Sequence, residues 1–445
     1  MSTLDLEESN VQSIQYVNKN NQHFYLLTLV SRGAFCPECR TFSKKIHGYK
    51  DKKINHSILL KENLTIVYHQ RRYKCPTCSK TFVESDPFTS HHCRFSNKTI
   101  DNVLNLLKDY NQTFSSVSRL TGVSITEVIE IFDEYVQIDR KKLQEVICID
   151  EFYFSRKSKY KYACMLVGFK NGLIIDVLES RKKSKLRSYF RLIPEEERNT
   201  VKFVSMDMYD NYRDIAHKYF PNALCCADSF HVIKYINDAL DKIRCKVMNR
   251  YKNDKNSDEY YLLKYKNTLL YIDSLKISDS FFKYNKHFKC KTTDGALLEQ
   301  MLNIDNELKH AYELKELYMI FNESTSDIVD IAKELDAVIA AYMVSGIPGF
   351  ISIGETLSNW KEEIINSFHT YDGRRINNGP IEGRNKYIHI ILELANGYKN
   401  FKRFRHRALF VLNKHESPLK EPRDTSLIKL PGKERGPYNK KSKFR

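Results

Sequence analysis

The pattern of apolar and polar positions divides the chain into stretches of different period. Leu64 to Tyr73 is a β-like run. Ile100, Val103, Leu104 and Leu107 then recur at helical spacing. In TFSSVSRLTGVSITEVIEIFDEY, Phe114, Val117 and Leu120 form one short apolar face, and Thr121-Gly122-Val123 makes a turn. Ser124 caps a second helix, with Glu127 three residues on. From Leu143 the character changes to short apolar runs: VICIDEFYF (Val146 to Phe154), YKYACMLVGFK and GLIIDVLESR, whose short connections suit an antiparallel meander. A helix over Lys185 to Ile193, a strand over Val201 to Met206, a helical YDNYRDIAHKYF and a strand over Ala223 to Ala227 follow. Residues ~232–370 read as helical throughout, rich in Tyr, Lys and Leu. In GRRINNGPIEGRNKYIHIILELANGYKNF, Asn377 to Pro380 is a turn and Pro380 suits a first helical position. Glu382 then lies in the first turn, with Lys386 and His389 on its face. FKRFRHRALF is a basic-aromatic helix.

Four cysteines punctuate the N-terminal part. Cys36 and Cys39 stand in FCPEC, and Cys75 and Cys78 in YKCPTC. Two such knuckles supply the four soft ligands of a tetrahedral Zn²⁺ site, so a structural zinc ribbon is expected over residues 21–95. Reduced, buried thiols are the plain alternative. Cys93, with His91 and His92, is a substitute ligand set that the complete quartet does not need. The chain has 11 cysteines, and its N-terminus, MSTLDLEESN, is too acidic and polar for a signal peptide. No apolar run reaches the length of a membrane span. These features predict thiols and metal ligands rather than disulfides, and a cytoplasmic protein without membrane association.

Composition adds a partner. Lys+Arg 72 against Asp+Glu 55 leaves +17, with 42% hydrophobic and 29% charged residues in 445. This is a globular, multidomain chain whose charge suits a polyanion, nucleic acid above all. Arg71 and Arg72 of the ribbon, with Lys74 and Lys80 nearby, are candidate DNA contacts. So is the leading end of the second helix of the helix-turn-helix pattern: Ser124, Ile125 and Thr126. Arg384, Lys386, Lys402, Arg403 and Arg405 extend the set into the late helices. An ordinary helical hairpin is the bland reading of residues 96–140.

The acids carry the chemistry. Asp150 closes the apolar part of its strand, on the side of Val146 and Cys148, while Glu151 points the other way. Asp207 follows the fourth strand directly. The order β-β-β-α-β-α-β is that of the ribonuclease-H-like fold, in which acids at the first and fourth strand ends meet at one sheet edge. Asp150, Asp207 and Glu382 then form the carboxylate set that phosphodiester chemistry with two Mg²⁺ (or Mn²⁺) ions requires. Asp150 would bridge both ions, and the other two would complete one site each. Asp210 and Asp228 are rivals to Asp207. Asp176 and Glu179 read as solvated edge residues, Glu393 as a salt-bridge partner, and Trp360 as core or, alternatively, a base-stacking residue.

The chain resembles transposases of the ISL-three insertion-sequence family. The likeness rests on CPEC, YKCPTC with KTFVE, the helix-turn-helix, IDEF, SMDMYDNY, ADSFHVIKYINDAL, NNGPIEGRNKYI and GYKNFKRFRHRALF. It implies a DDE core interrupted by a helical insertion before the glutamate helix, and maps the acids to Asp150, Asp207 and Glu382. It also matches Asp228 and His231 to an Asp-x-x-His motif, giving His231 a role near the scissile phosphate; a helix-packing role is the alternative. The family tends to be basic after the glutamate motif, where this chain has His389 and Ile390.

The fold expected is multidomain α/β. A flexible segment 1–20 precedes the ribbon (21–95) and helix-turn-helix (96–140). A ribonuclease-H-like core follows (143–236), with an all-helical insertion (237–370), the glutamate helix (371–415) and a basic tail (416–445). The resemblance implies a DNA transposase that binds terminal inverted repeats, cuts with water and joins the freed 3′-hydroxyl to target DNA as a homodimer on double-stranded DNA. Alternatives are a metal-dependent nuclease on the same fold and a DNA-binding regulator derived from a transposase.

Overall fold

The computed structural model describes residues 4, 6–20, 22–56, 64–89, 94–156 and 158–414. Cys93, His91 and His92, and the tail from residue 416, lie outside them. The chain forms two compact units, residues 1–138 with 414–445, and residues 139–413.

The first unit is built on a sheet of Val11–Lys19 (β1), Gln22–Leu29 (β2), Ile46–Asn55 (β5) and Leu64–Lys74 (β6), in the order β1-β2-β6-β5, with Thr81–Val83 (β7) also on β6. Ala34–Phe35 (β3) and Phe42–Ser43 (β4) pair as a small hairpin between them. The expected flexible segment is therefore corrected: Val11–Lys19 pairs antiparallel with β2 along its length. Its half-buried Val11, Ile14 and Val17 recur every third residue. That spacing hides an edge strand from a search for period two. Leu27, Ile54, Ile66, Tyr68 and Phe88 form one small core, and Cys36, Tyr73, Cys75 and Phe82 a second.

Three helices complete the unit. Asn97–Leu106 (α1) starts at Ser96, whose side chain accepts from the Thr99 N–H. Phe114–Thr121 (α2) and Ile125–Tyr135 (α3) each begin with a reciprocal capping box, the second between Ser124 and Glu127. Gly122 stops α2 at φ 70°, a left-handed conformation that glycine adopts without Cβ strain. Val117, Val128, Ile131 and Phe132 are buried between the helices.

The second unit carries a five-stranded sheet: Val146–Tyr153 (β8), Tyr162–Gly168 (β9), Ile174–Leu178 (β10), Phe203–Met206 (β11) and Leu224–Ala227 (β12). The order is β10-β9-β8-β11-β12. β8, β9 and β10 form an antiparallel meander, and β8, β11 and β12 run parallel. Lys183–Phe190 (α4), Glu195–Arg198 (α5) and Asp210–Tyr219 (α6) make the connections. Leu186, Phe190, Tyr212, Ile215 and Ala216 pack on Ile147, Ile149, Val204 and Met206.

Ser229–Met248 (α7) then leaves the sheet and enters a helical body: Asp258–Tyr265 (α8), Asp294–Leu302 (α9), Asn306–Asn322 (α10), Ile328–Val344 (α11), Pro348–Asn359 (α12) and Lys361–Asn366 (α13). A short hairpin of Lys283–Asn285 (β13) and Cys290–Thr292 (β14) interrupts it, where the sequence predicts helices alone. Trp360 is buried there, with the Arg213 guanidinium 4.1 Å from its ring centre, so it is core and not a base platform. A hairpin of Thr370–Tyr371 (β15) and Arg374–Arg375 (β16) leads into Gly379–Leu394 (α14) and Phe401–Leu412 (α15). Pro380 sits in the first turn of α14, where its missing N–H costs nothing.

Candidate active site and metal centre

The four predicted cysteines converge. Sγ distances are 3.6 Å for Cys36–Cys78, 3.4 Å for Cys39–Cys75 and 3.6 Å for Cys39–Cys78. All are free thiols, far beyond a covalent S–S separation. Four thiolates about 2.3 Å from a tetrahedral Zn²⁺ stand about 3.8 Å apart, so the quartet fits that ion closely. Cys36 and Cys75 are buried and Cys39 and Cys78 exposed, as one sulfur pair points into the small core and the other outward.

The acids converge through the sheet. β8 and β11 are in register from Val146↔Phe203 to Ile149↔Met206, so Asp150 and Asp207 are the next positions on two adjacent parallel strands. Asp150 is not the end of its strand, because β8 continues to Tyr153 against β9. It lies where β11 stops. Ligand oxygens of Asp150, Glu151 and Asp207 come within 4.8 Å of one another, as do ligand atoms of Asp207, Asp228 and His231.

Glu151 stays beside the pair: Arg181 and the Tyr212 hydroxyl, at 3.0 Å, hold its carboxylate on the face of Ile147 and Ile149, with a ligand oxygen within 4.8 Å of those of Asp150 and Asp207. Alternation along a strand sets where Cβ points, and a Glu side chain is long enough for its carboxylate to approach the strand edge from its own face. Glu382 is outside both clusters of ligand atoms among the described residues. It stands on α14 near Asp228 and His231, which act on its charge.

The electrostatics follow from crowding like charges in a partly dry place. Burial, then the Asp207 carboxylate, pushes Asp150 up to about 8. Burial also lifts Asp207 to about 6, against the opposing pull of His231. Burial, then Asp228, raises Glu382 above its ordinary value. His231 Nδ1 lies 3.1 Å from Asp207 and 3.2 Å from Asp228, and its hydrogen bond with Asp228 leads its own upward shift. Asp228 is buried and accepts from the Asn378 backbone N–H at 3.3 Å. Asp210 pairs with Arg213 at 2.7 Å on the surface, away from both clusters. Crowded oxygen donors of this kind suit a divalent cation, whose charge would offset their mutual repulsion.

The predicted cationic contacts divide. Arg72, Lys386 and Lys402 are exposed, as are Ser124, Ile125 and Thr126 at the start of α3. Arg71 is a correction. It is buried, donates to Glu84 at 3.3 Å, Gln12 at 2.7 Å and the Leu29 carbonyl, and so holds the sheet together. Arg405 is bound at 2.6 Å to Asp176, which is buried and also accepts from the Tyr189 hydroxyl at 2.9 Å. The reading of Asp176 as a solvated edge residue is thereby overturned. Arg384 donates to the Gly172 and Leu412 carbonyls at 2.7 and 3.3 Å, and Arg403 is half-buried.

Sequence reasoning missed Asn378 and Asn385. Asn378 Nδ2 donates to Asp207 at 3.2 Å, and Asn385 Nδ2 to Asp150 at 2.6 Å. The available signal was their spacing: residues 378, 382 and 385 lie one and two turns apart on the face that also carries Glu382.

No helix among the described residues is long and apolar enough to cross a membrane. The chain is 26% identical over 181 residues to a transposase for insertion sequence element IS1557 of Mycobacterium tuberculosis, covering 40% of each. It is 20% identical over 226 residues to the transposase for insertion sequence element IS1001 of Bordetella parapertussis, covering 49% of this chain and 54% of the relative. The matched segments thus span about two fifths to about half of those relatives. The model of the zinc-finger of transposase IS204/IS1001/IS1096/IS1165 matches residues 32–78, around all four cysteines. A transposase family model of the ISL3 DDE type matches residues 147–408, well over half of the chain and spanning the acids and the helical body between them, and the chain belongs to this family.

Proposed function

We propose that this protein is a DNA transposase that binds the terminal inverted repeats of an insertion sequence and carries out metal-dependent cleavage and strand transfer. The observation that carries the reading is the juxtaposition of Asp150 and Asp207 at the point where β8 and β11 part. The strand order, with three antiparallel strands beside two parallel ones, supports a ribonuclease-H-like core. The two capped helices and exposed residues Ser124 to Thr126 support a helix-turn-helix that reads a major groove. The cysteine quartet supports a structural Zn²⁺.

Mg²⁺ or Mn²⁺, when bound, activates the attacking oxygen and steadies the leaving one. Asp150 and Asp207 are the residues to hold it, with Glu382 as the third carboxylate from α14. His231, between Asp207 and Asp228, orients Asp207 and stands near the scissile phosphate, where it helps to orient the strand. Exposed Arg72, Lys386 and Lys402 meet phosphates. The active form is a dimer that brings two ends together.

The test is incubation with end-containing DNA and Mg²⁺, mapping the cuts on both strands. Glu382→Ala should keep end binding and lose cleavage. Cleavage at the wild-type rate in that variant defeats the third-ligand role. Nicks without joined products would favour a nuclease on the same fold.

A further inference from the structure

The face of α14 that meets the sheet brings more than Glu382. Asn378 is 1% exposed, and its Nδ2 donates to Asp207 Oδ1 at 3.2 Å while its backbone N–H donates to Asp228. Two turns on, Asn385 Nδ2 donates to Asp150 Oδ2 at 2.6 Å. The Oδ1 atoms of both side chains are buried without a hydrogen-bond partner. Two amides on one helix therefore each give a donor to one of the paired aspartates and leave an acceptor unused. A buried acceptor left unmatched is unfavourable, so the donor contact is the feature that accounts for these residues.

We propose that Asn378 and Asn385 are positioning residues for the aspartate pair, fixing which oxygen of Asp207 and of Asp150 turns away from α14. Asp150 Oδ2 is held by Asn385, and Asp150 Oδ1 accepts from the Glu151 N–H at 2.6 Å. Both oxygens are thus pinned, and the carboxylate cannot rotate freely. Asp207 is held at one oxygen: Asn378 Nδ2 and His231 Nδ1 both reach its Oδ1, at 3.2 and 3.1 Å. Because both asparagines ride on the helix of Glu382, they set the spacing between that helix and the sheet edge, and with it the reach of the third carboxylate. This inference rests on the proposed catalytic reading, in which Asp150 and Asp207 hold a divalent cation.

Two measurements on the full-length, zinc-loaded chain test it. The first is Mn²⁺ binding by calorimetry. Asn385→Leu keeps the volume and removes the donor, and should weaken Mn²⁺ about tenfold with zinc content unchanged. Asn385→Ser, which keeps a shorter donor and is the safer variant for folding, should lie between. Wild-type Mn²⁺ affinity in both variants overturns the positioning role, since a merely structural pin lowers the unfolding midpoint without touching the ion. The second is a thermal double-mutant cycle without divalent metal between Asn385→Leu and Asp150→Leu. Strongly non-additive midpoint shifts support the coupling, and additive ones overturn it. Absence of Mn²⁺ binding by the wild-type chain, with non-additive shifts in the cycle, would defeat the catalytic reading and leave the asparagine–aspartate coupling standing.

Discussion

The cysteine quartet and the aspartate site are two solutions to one problem, that of bringing together groups that repel or waste hydrogen bonds when idle. The quartet draws its ligands from two knuckles, each a turn of four residues that sets two sulfurs by itself. Each knuckle is closed by its own hairpin, β3 with β4 and β6 with β7, and one further condition, the pairing of β5 with β6 beside Ile46 and Tyr73, lays one knuckle against the other. The aspartate site has no such local unit. Asp150, Asp207, His231 and Asn385 come from four separate elements, and their contacts exist only because β8, β11, α7 and α14 meet. The knuckle site is a property of turns, and the carboxylate site a property of the sheet. A local site is robust to changes elsewhere but is lost with any one ligand. A site assembled from distant strands tolerates small shifts in each, and is tuned by the groups that hold the strands apart.

The largest effect should come from the local site. Cys75→Ser is expected to abolish stoichiometric zinc retention, with loss of much of the folding energy that ligation supplies, about 10–16 kcal/mol for small zinc domains. Metal analysis and far-UV dichroism check it, and full zinc content in the variant breaks the comparison on that side. At the distributed site, Asp207→Ala should cut the cleavage rate by roughly 10³-fold or more with end binding intact, as single-turnover assays would show. A drop in binding of the same size would mean that Asp207 supports the fold rather than the chemistry.

Arg71 sharpens the contrast between scaffold and surface. Arg71→Ala leaves the half-buried Glu84 with only the Tyr68 hydroxyl and the residue-71 N–H, and removes the donors to Gln12 and the Leu29 carbonyl, and should cost roughly 2–4 kcal/mol in the first unit. Arg72→Ala, at an exposed neighbour, should leave stability alone and lower the salt slope of DNA binding by about one. Denaturant titration and binding at several salt concentrations separate the two.

The smallest effect concerns protons. Asp150 and Asp207 have folded values of about 8 and about 6, above the ordinary carboxylate range. The folded chain then binds more protons than the unfolded one between about pH 4 and about pH 8, so without divalent metal its stability should fall as pH rises through that window. Asp150→Asn removes one of the repelling charges. It should raise the metal-free melting temperature at pH 8 by roughly 2–4 °C, the response to about 1 kcal/mol in a domain of comparable size. An unchanged or lower midpoint would mean that Asp150 and Asp207 do not repel in the folded state.

The elements with strong local signals were legible in the sequence. The capping box at Ser124, the turn at Gly122, the strands of the meander and the Pro380 helix start all lie where their residues predict. Each depends on neighbours within four residues. The strand Val11–Lys19 was not legible, because it is an edge strand whose buried positions follow no two-residue period. Arg71 and Asp176 were misjudged for a related reason. A charged residue in a sequence reads as solvated, and only the packing around it reveals a half-buried partner such as Glu84 or Arg405.

By itself the sequence determined which groups are at hand: four thiols in two matched turns, two aspartates that follow apolar runs and a glutamate in the first turn of a helix opened by proline. Those follow from covalent order and short-range preference. The tertiary structure alone decided which oxygens meet. It kept Glu151 beside Asp150 and Asp207, set Glu382 nearer to Asp228 and His231, and put Asn378 and Asn385 on the two aspartates. The physical reason is range. Register between β8 and β11 and the docking of α14 are set by burial summed over many residues, and no local pattern encodes a side-chain distance across 235 positions of chain.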